Sequence, residues 1–448
     1  MNLPQGWIEI KIGDMAQYIN GKAFKPSEWE DSGLQIVRIQ NLNDDNAKYN
    51  YSSKIIEDKY KIRKGDLLFA WSASLGAFIW LGKDAWLNQH IFKVVPYNGV
   101  DRNFLYYVLV NTASLFYSKT HGSGMVHITK EPFESTKAIL PPFSEQQRIV
   151  AKIDSLFSEL ENGVTMLKTI KAQLAIYRQA VLKWAFEGKL TKEWRKQNSV
   201  SDWKYVNIEK YLIKTDKSMS TGPFGTMLKK HEHKISGVPV LGIENIGNGN
   251  FIHGNKIFVT SEKAKFLKSF VLHTNDVIIS RSGTVGELCL VPQELDGSLM
   301  STNLIRVTLD ENVIIPKFFV FLFQSKGIVI DQVKELCKGS TRAFLNQTIL
   351  KKILFPFLSI DEQRQIIDAI ESRLSVCDKL EQTIDQTLAL SASLRQSILK
   401  KAFEGRLVPQ DPNDEPAEKL LERIKAEKAA VLEKQKKTRK RGKIWSIN

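Results

Sequence analysis

The sequence predicts an α+β protein in which two mixed α/β domains, related by pseudo-two-fold symmetry, are separated by an antiparallel pair of long coiled-coil helices. Three observations predict this fold. An internal repeat covers nearly the whole chain, the first part of each copy has short β-rich runs, and the second part has a long heptad pattern. The 448 residues are 43% hydrophobic and 25% charged, which is typical of globular domains.

The repeat is an ordered series of matching segments. The clearest matches, each 217 residues apart, are Ala185–Leu190 with Ala402–Leu407 and Glu145-Gln146 with Glu362-Gln363. Earlier matches are closer together, and Trp7 and Trp203 are 196 residues apart. Small insertions in the second copy produce such a steady rise, so the sequence indicates a tandem duplication. The repeat divides the chain into residues 1–143 (first domain), 144–188 (first long helix), 189–358 (linker and second domain), 359–405 (second long helix) and 406–448 (basic C-terminal tail).

The two domains are predicted to mix strands with buried helices. Leu34–Ile39, Gly65–Ala70 and Val238–Ile243 are rich in β-branched and large apolar residues and lie between Gly, Asn and Asp clusters, which is typical of strands. Phe104–Val110 and Phe318–Phe323 are more apolar throughout and predict buried helices.

Each long helix is predicted to begin at a capping box and to end at a glycine. The boxes are Ser144 with Gln147 and Ser359 with Glu362, and the glycines in the left-handed capping position are Gly188 and Gly405. The heptad stripes include Ile153, Leu160, Leu167 and Leu174 in the first helix, and Ile370 and Ile384 in the second. One helix of about 43 residues, about 64 Å long, cannot bury its stripe alone, whereas two antiparallel copies can bury it against each other. The alternative is that these are long core helices of an ordinary domain.

Composition excludes several classes of protein. No apolar run approaches the roughly 18 residues of a membrane span, and the N-terminus has no secretory pattern, so we expect a cytoplasmic protein with no membrane partner. Cys289, Cys337 and Cys377 are far apart, which favours reduced thiols over disulfides or a zinc site. The net charge of +15 favours a polyanionic partner, although surface charge also serves solubility.

Several motifs resemble one known family. Leu140-Pro141-Pro142-Phe143-Ser144-Glu145-Gln146 opens the first helix, Ala185–Leu190 closes it, and Arg281-Ser282-Gly283-Thr284-Val285-Gly286 and the tail Leu407–Pro416 are also typical. Together these residues resemble the specificity subunits of type I restriction-modification systems of bacteria and archaea. The similarity extends over nearly the whole chain.

The resemblance implies a function and a set of partners. Each domain would be a target-recognition domain that reads one half of a bipartite, asymmetric site on double-stranded DNA, and the helices would set the spacing. The helices would also bind two methyltransferase subunits, which modify adenine N6, and endonuclease/translocase subunits would join the complex. The chain would need no cofactor itself, with S-adenosylmethionine, ATP and Mg expected in the partner subunits. The expected partner-binding and spacer residues are Glu145, Gln146, Ile153, Leu160, Leu167, Leu174, Phe186, Glu362, Gln363, Ile370, Ile384 and Phe403.

Two departures from the family pattern matter. The second helix opens without the double proline, at Phe355–Asp361. In the first copy Trp71 stands where the second copy has Arg281, so a role for Arg281 cannot be assumed in both halves.

The sequence has no catalytic site of its own that we can identify. Leu140-Pro141-Pro142-Phe143 has leucine where an adenine methyltransferase needs Asp or Asn, and there is no phosphate-binding loop. His231-Glu232-His233 is flanked by lysines, which favours a solvated loop over a metal site. Two alternatives to DNA recognition stay open: a coiled-coil scaffold that binds DNA without specificity, and a self-sufficient methyltransferase.

The candidate DNA contacts are polar and basic side chains near predicted loops, because such groups bind base edges and phosphates. The segment His121–Lys130 aligns with Lys338–Gln347 in the repeat, and this kind of loop lies near DNA in the family. Arg38 and Asn41, with counterparts Gly242 and Asn245, could instead be turn residues only. The full set is Arg38, Asn41, His127, Thr129, Lys130, Lys230, Asn245, Arg281, Thr341, Arg342 and Asn346.

The C-terminal tail is predicted in two parts. Glu418–Glu433 has the composition of a short helix with no evident partner. Lys434–Lys443 has seven basic residues and no acidic one, which is typical of a disordered arm that adds DNA affinity without sequence information.

Overall fold

The structure is a computed structural model that describes residues 3–44, 46–119, 126–215, 217–247, 249–337 and 344–445, with the backbone alone at 118–119, 126–127 and 434–445. The chain forms two compact units. The first contains residues 1–165 and 387–448, and the second contains residues 166–386. Each long helix therefore contributes one part to each unit. In the described part of the chain no helix is long and apolar enough to cross a membrane.

In the described residues, the first domain contains short strands and three α-helices. Its strands are β1 (Ile8–Lys11), β2 (Ala16–Asn20), β3 (Leu34–Val37), β4 (Asn50–Ser52), β5 (Lys61–Ile62), β6 (Leu67–Ala70), β7 (Ser72–Ala73), β8 (Gly76–Ile79), β9 (Ala85–Leu87), β10 (Ile91–Pro96), β11 (Val126–His127) and β12 (Lys137–Leu140). Its helices are α1 (Ile39–Asn43), α2 (Arg102–Lys119) and α3 (Lys130–Glu134). The long helix α4 (Phe143–Phe186) follows.

The second domain repeats this order after the short helix α5 (Lys192–Gln197). Its strands are β13 (Lys204–Asn207), β14 (Met219–Thr221), β15 (Val238–Leu241), β16 (Ile246–Gly247), β17 (Asn250–Phe251), β18 (Phe258–Val259), β19 (Val277–Ser280), β20 (Leu288–Leu290), β21 (Leu299–Met300), β22 (Leu304–Val307) and β23 (Leu354–Phe357). Its helices are α6 (Ser261–Phe266), α7 (Pro316–Gln324), α8 (Ile330–Leu336) and α9 (Gln347–Leu350), and the chain ends with α10 (Ile360–Phe403) and α11 (Ala417–Trp445).

The sheets support the duplication, because one four-stranded sheet has the same topology in both domains. Its order is β2-β10-β6-β8 in the first domain and β14-β22-β19-β20 in the second, whereas another sheet has four strands in the first domain, β4-β3-β9-β5, and three described strands in the second, β18-β15-β21. In both, a two-stranded antiparallel sheet leads into the long helix, as β1-β12 and β13-β23. The predicted strands at Leu34, Gly65 and Val238 and the two predicted buried helices are all present.

A buried glycine follows the first strand, β2 or β14, of the two equivalent four-stranded sheets, at a point where two backbone segments cross closely. The Gly21 amide donates to the Ile91 carbonyl, and the Gly222 amide donates to the Leu304 carbonyl, both over 3.0 Å. A Cβ at Gly222 would lie 1.8 Å from the carbonyl oxygen of Ser301, and one at Gly21 would be similarly obstructed by a backbone oxygen. Only glycine lets the two backbones approach this closely.

Substituting this glycine should destabilise the second unit. We expect Gly222→Ala to lower the free energy of unfolding by about 3 kcal/mol, because a fixed backbone oxygen cannot yield to the new methyl group. Gly225→Ala is the matched control, since nothing lies within 4 Å of a Cβ there. Denaturant unfolding of the two variants measures the difference, and equal midpoints would contradict the prediction.

The ends of the long helices complete the domain cores. Ile149 and Ile153 of α4 are buried in the first core together with Ile398 and Ala402 of α10. The second core likewise contains residues of both long helices, but from their other ends. These residues are Val181, Leu182, Ala185 and Phe186 of α4 and Ile366, Ile367 and Ile370 of α10. The ends of the hydrophobic stripes are thus buried in the domain cores.

The two helices pair antiparallel within each unit. In the second unit Lys171 binds Asp385 at 2.6 Å, and Arg178, seven residues later, binds Asp378, seven residues earlier, at 2.7 Å. In the first unit Arg395 binds Glu161 at 2.5 Å. Exposed ion pairs of this kind contribute about 0–1 kcal/mol each, so they fix the register more than they add stability.

The predicted burial of a continuous heptad seam is only partly correct. Leu160, Leu167 and Leu174 are half-buried, and Leu380 and Leu394 are 47% and 49% exposed. Two helices without a third layer leave part of each stripe in solvent, which sequence periodicity alone does not reveal.

The helix termini confirm the two predicted glycine caps and one half of the second capping box. Gly188 and Gly405 have φ values of 72° and 67°. The Ser359 hydroxyl accepts a hydrogen bond from the Glu362 amide, but the Glu362 carboxylate accepts from the Trp203 indole instead of reaching back to the Ser359 amide. The prediction for Ser144 is wrong. Helix α4 already begins at Phe143, and the Pro142 carbonyl accepts the hydrogen bond from the Gln146 amide.

The C-terminal tail corrects a second prediction. The chain from Ala417 to Trp445 is one helix, α11, which includes the segment expected to be a disordered arm. This helix also has a partner, because Ala417, Leu420 and Ile424 are buried in the first core. Lys428 donates to the Asp14 carboxylate over 2.7 Å. A contact between segments more than 400 residues apart leaves no local signal in sequence.

Candidate nucleic-acid interface

The structure brings the loop after the central strand β6 or β19 next to the predicted contact segments. In the second domain the Arg281 amide donates to the Asn303 carbonyl, and the Leu345 amide donates to the Arg281 carbonyl, both over 3.0 Å. In the first domain Trp71 makes the same two bonds, with His90 and Ile128, both over 3.1 Å. Trp71 and Arg281 are therefore equivalent, as the repeat predicts, and each lies beside the segment expected to contact DNA.

Arg281 presents a partly buried cation. Its guanidinium lies 4.5 Å from the centre of the Phe344 ring, and its Nε donates to the Leu345 carbonyl over 3.4 Å. No carboxylate of the described residues lies within salt-bridge distance, and burial lowers the pKa of the guanidinium. An arginine positioned by an aromatic ring and lacking a counter-charge suits a guanine edge or a phosphate.

Trp71 gives the same position in the first domain a different chemistry. Its ring stacks on Phe92 at 5.7 Å and meets the His90 ring edge at 4.8 Å, and its Nε1 donates to the Asn20 side chain over 3.2 Å. His90 has a positive φ of 73°, and its Nδ1 is buried with no partner in the described part of the chain. The first domain thus carries an aromatic cluster where the second carries a cation.

The other predicted residues of the two contact segments are placed only in part. His127 pairs through its backbone with Ser72 on β7. Thr129 is exposed at the start of α3, and Lys130 contacts the Tyr18 carbonyl at 3.3 Å and Glu134 at 3.5 Å. In the second domain Thr341 and Arg342 lie outside the described residues, while Asn346 caps α9 through its side-chain oxygen.

Asn41 and Asn245 are buried turn residues, 5% and 1% exposed. The Asn41 side-chain oxygen accepts from the Arg38 amide and its Nδ2 donates to the Ala47 and Lys48 carbonyls. The Asn245 side chain repeats this pattern with Gly242 and Ile252. The side-chain amides of both asparagines already form hydrogen bonds within their domains, so the geometry favours the turn-residue alternative over direct DNA contact. Arg38 is half-exposed and lies 5.4 Å from the Trp29 ring centre.

The basic stretch around Lys230 forms a short 3₁₀ helix over Lys230–Glu232. Lys230 and His231 are exposed. The Glu232 carboxylate accepts from the Lys229 amide and from Lys263 Nζ, over 2.7 and 2.6 Å, which lowers its pKa. A carboxylate held by a lysine is a poor metal ligand, and no cluster of three or more ligand side chains occurs in the described residues.

The predicted spacer residues fall into two groups. Glu145, Gln146, Glu362 and Gln363 are 1% exposed or less and are turned into the domains at the helix starts, together with Ile153, Ile370 and the helix-end residue Phe186. Ile384 is also buried, Phe403 packs edge-on against Phe104, and Leu160, Leu167 and Leu174 are half-buried. A different set faces solvent. The exposed apolar residues of the helix middles include Met166, Ile176, Val376 and Leu390, which are 56–71% exposed.

Sequence reasoning missed three parts of this arrangement. The sequence showed that Trp7 matches Trp203. It did not show that each indole donates a hydrogen bond to the glutamate at the start of a long helix. The Gly21 and Gly222 crossing could have been found, because their separation of 201 residues fits the rising series of the repeat. No sequence pattern identifies Phe344 as the aromatic ring that lies against Arg281.

Comparisons with known proteins identify the family. Residues 4–171 and 223–390 each match the family described as "Type I restriction modification DNA specificity domain". The EcoBI specificity subunit of Escherichia coli is 26% identical over 96% of this chain and 94% of its own length, and the EcoKI specificity subunit of E. coli K12 is 26% identical over 96% and 97%.

Solved structures share the fold. The HsdS subunit of Thermoanaerobacter tengcongensis has a TM-score of 0.60 at 17% identity, covering 91% of this chain and 98% of that one. A chain from a study of the assembly and conformational transition of the type I R-M system has a TM-score of 0.63 at 19% identity, covering 91% and 100%.

Proposed function

The chain belongs to the type I restriction-modification DNA specificity family, and we propose that its two units each read one half of a bipartite, asymmetric DNA site. It is the specificity subunit of a type I restriction-modification system. The observation that carries the proposal is that two family domains, which share the order of one four-stranded sheet, occur in one chain. Their different residues at the Trp71 and Arg281 position support an asymmetric rather than a palindromic site.

The DNA-contacting surface of each domain is assigned to the loop after the central strand and its neighbours. In the first domain this surface comprises Trp71 and the segment with His127, Thr129 and Lys130. In the second it comprises Arg281 and the segment with Thr341, Arg342 and Asn346. Lys230 and Arg38 are further candidates for phosphate contact, since Lys230 is exposed and Arg38 is partly exposed.

The long helices would bind the methyltransferase subunits. Ile176 is 71% exposed in the second unit and Leu390 is 66% exposed in the first, and in this proposal these apolar side chains of the helix middles contact the methyltransferase. The duplicated units would supply two such surfaces, one for each methyltransferase.

Endonuclease/translocase subunits would complete the assembly. S-adenosylmethionine, ATP and Mg would be bound by these partners, and this chain would do no chemistry itself. Reading the DNA of a bacterial or archaeal host would place the protein in the cytoplasm.

The test compares specific with random DNA. The adenine-methylation pattern of the host genome, with and without this chain, supplies the candidate site. The chain purified with its methyltransferase partner should then bind that duplex at least about 10³-fold more tightly than random duplex at moderate salt.

Two other outcomes would contradict the proposal. Equal, steeply salt-dependent binding to every duplex would indicate the non-specific scaffold, because counterion release is independent of sequence. Methyl transfer by the isolated chain would indicate a self-sufficient methyltransferase.

A further inference from the structure

The first turn of α4 is bonded to two separate parts of the first domain. The Trp7 indole Nε1 donates to Glu145 Oε2 over 2.8 Å. The Gln146 side-chain oxygen accepts from the Asp101 amide over 2.8 Å, and its Nε2 donates to the Gly99 and Pro141 carbonyls over 3.1 and 2.9 Å. Both side chains are almost completely buried. The residues before β1 and before α2 are thus bound to one point on the helix.

We call this set of hydrogen bonds between the first turn of a long helix and its domain a joint. The second unit has an equivalent joint. The Trp203 indole donates to Glu362 Oε1 over 3.0 Å. Gln363 accepts from the Ile315 amide over 2.8 Å and donates to the Val313 and Leu358 carbonyls over 3.0 and 3.1 Å. The two joints differ in one respect, because Arg195 Nε lies 3.3 Å from Glu362 Oε1.

These joints are poorly suited to stability alone. Glu145 Oε1 and Glu362 Oε2 are buried with no hydrogen-bond partner in the described residues, and burial raises the pKa of both carboxyls. Buried polar groups of this kind often stabilise a protein less than apolar residues of the same volume. Their hydrogen bonds are directional, however, whereas apolar packing tolerates sliding and rotation.

We propose that Glu145, Gln146, Glu362 and Gln363 are positioning residues that fix the angle at which each recognition domain leaves its helix and so set the half-site spacing that the protein accepts. The inference rests on the proposed function. One base pair of added spacer turns the next half-site by about 34–36° around the DNA axis, so a loose joint would admit spacers that a rigid joint rejects.

The test measures spacer preference in the complex with the methyltransferase partner. Gln146→Met and Gln363→Met keep the side-chain volume and remove three hydrogen bonds each. Gln147→Met and Gln365→Met are matched controls, because these neighbours on the same helices are exposed. Affinity is measured for duplexes with the native spacer and with one base pair added or removed.

We expect the wild-type complex and the controls to prefer the native spacer by about ten-fold or more. In the joint variants this preference should fall at least about three-fold while discrimination between bases within each half-site is unchanged. Glu145→Gln, which keeps the acceptor for Trp7, should retain the wild-type preference.

The possible results distinguish a positioning role of these residues from a purely structural one. An equal loss of affinity at every spacer would show a structural role only and would overturn the inference, as would an unchanged preference. If the methionine variants do not fold, Trp7→Phe and Trp203→Phe keep the aromatic bulk, remove one hydrogen bond from each joint and are judged by the same criterion. A wild-type complex without preference for any bipartite duplex would instead refute the proposed function.

Discussion

Exchange of the first recognition domain for that of another family member is expected to change one half of the DNA site and to leave the other half unchanged. The two domains have separate cores, and the second core contains no residue from the first domain. Each mismatched base pair costs about 1–3 kcal/mol, so mismatches at about three base pairs of one half-site should weaken binding of the original duplex by at least about 10²-fold.

The structure defines where the exchange should begin and end. The graft should run from after β1 to before β12, because the pairing of these two strands leads into α4. It should keep the native residues 97–101, since the Asn98 amide donates to the Glu427 carboxylate and a Cβ at Gly99 would lie 3.3 Å from Leu420 Cδ2 on α11. Binding to a set of duplexes that carry old and new half-sites in all combinations measures the result.

The reciprocal graft between β13 and β23 is the control and should change only the other half-site. If either graft changed the preference at both half-sites, the two units would not read DNA independently. A graft that lost all binding but kept its fold would also contradict modular recognition.

Features that repeat within the chain could be predicted well, because a pattern that occurs at equivalent positions of both copies is supported twice. The matching sheets, the left-handed glycines at both helix ends and the equivalence of Trp71 with Arg281 all follow from the rising separations. The heptad pattern also identified the long helices to within a few residues.

Features that depend on one contact between distant segments could not be predicted. Helix α11 has an ordinary amphipathic pattern, but its partner surface begins some 400 residues earlier, at Asp14. Asn41 and Asn245 have the residue type of a base contact, and only their burial distinguishes a turn from a binding site. The glutamates of the two joints likewise look like solvent-exposed helix-start residues until their indole partners are known.

Removal of the Arg281 side chain is expected to weaken binding by about 10- to 100-fold and to relax base preference at one position of the half-site read by the second unit. A bidentate arginine contact to guanine contributes about 1–3 kcal/mol of discrimination, and stacking on Phe344 already holds this guanidinium in place. Arg281→Lys should lose nearly as much discrimination as Arg281→Ala, because a lysine keeps the charge but not the planar fork.

A systematic single-base panel of duplexes separates base reading from phosphate binding. If Arg281 contacts only phosphate, Arg281→Ala weakens every duplex equally and lowers the salt dependence by about one phosphate contact. Lys204→Ala is the control for a lost charge, because Lys204 is exposed on β13 next to the start of α10.

The first domain provides the reciprocal experiment. Trp71 occupies the equivalent backbone position but is bonded to Asn20 and packed on His90 and Phe92. Trp71→Phe keeps an aromatic ring and should alter preference only in the half-site read by the first unit. If Arg281→Ala and Trp71→Phe changed the same base position, the equivalence of the two sites would be contradicted. Separate positions would follow from one fold that carries a cation in one copy and an aromatic cluster in the other, which is how a duplicated protein can read an asymmetric site.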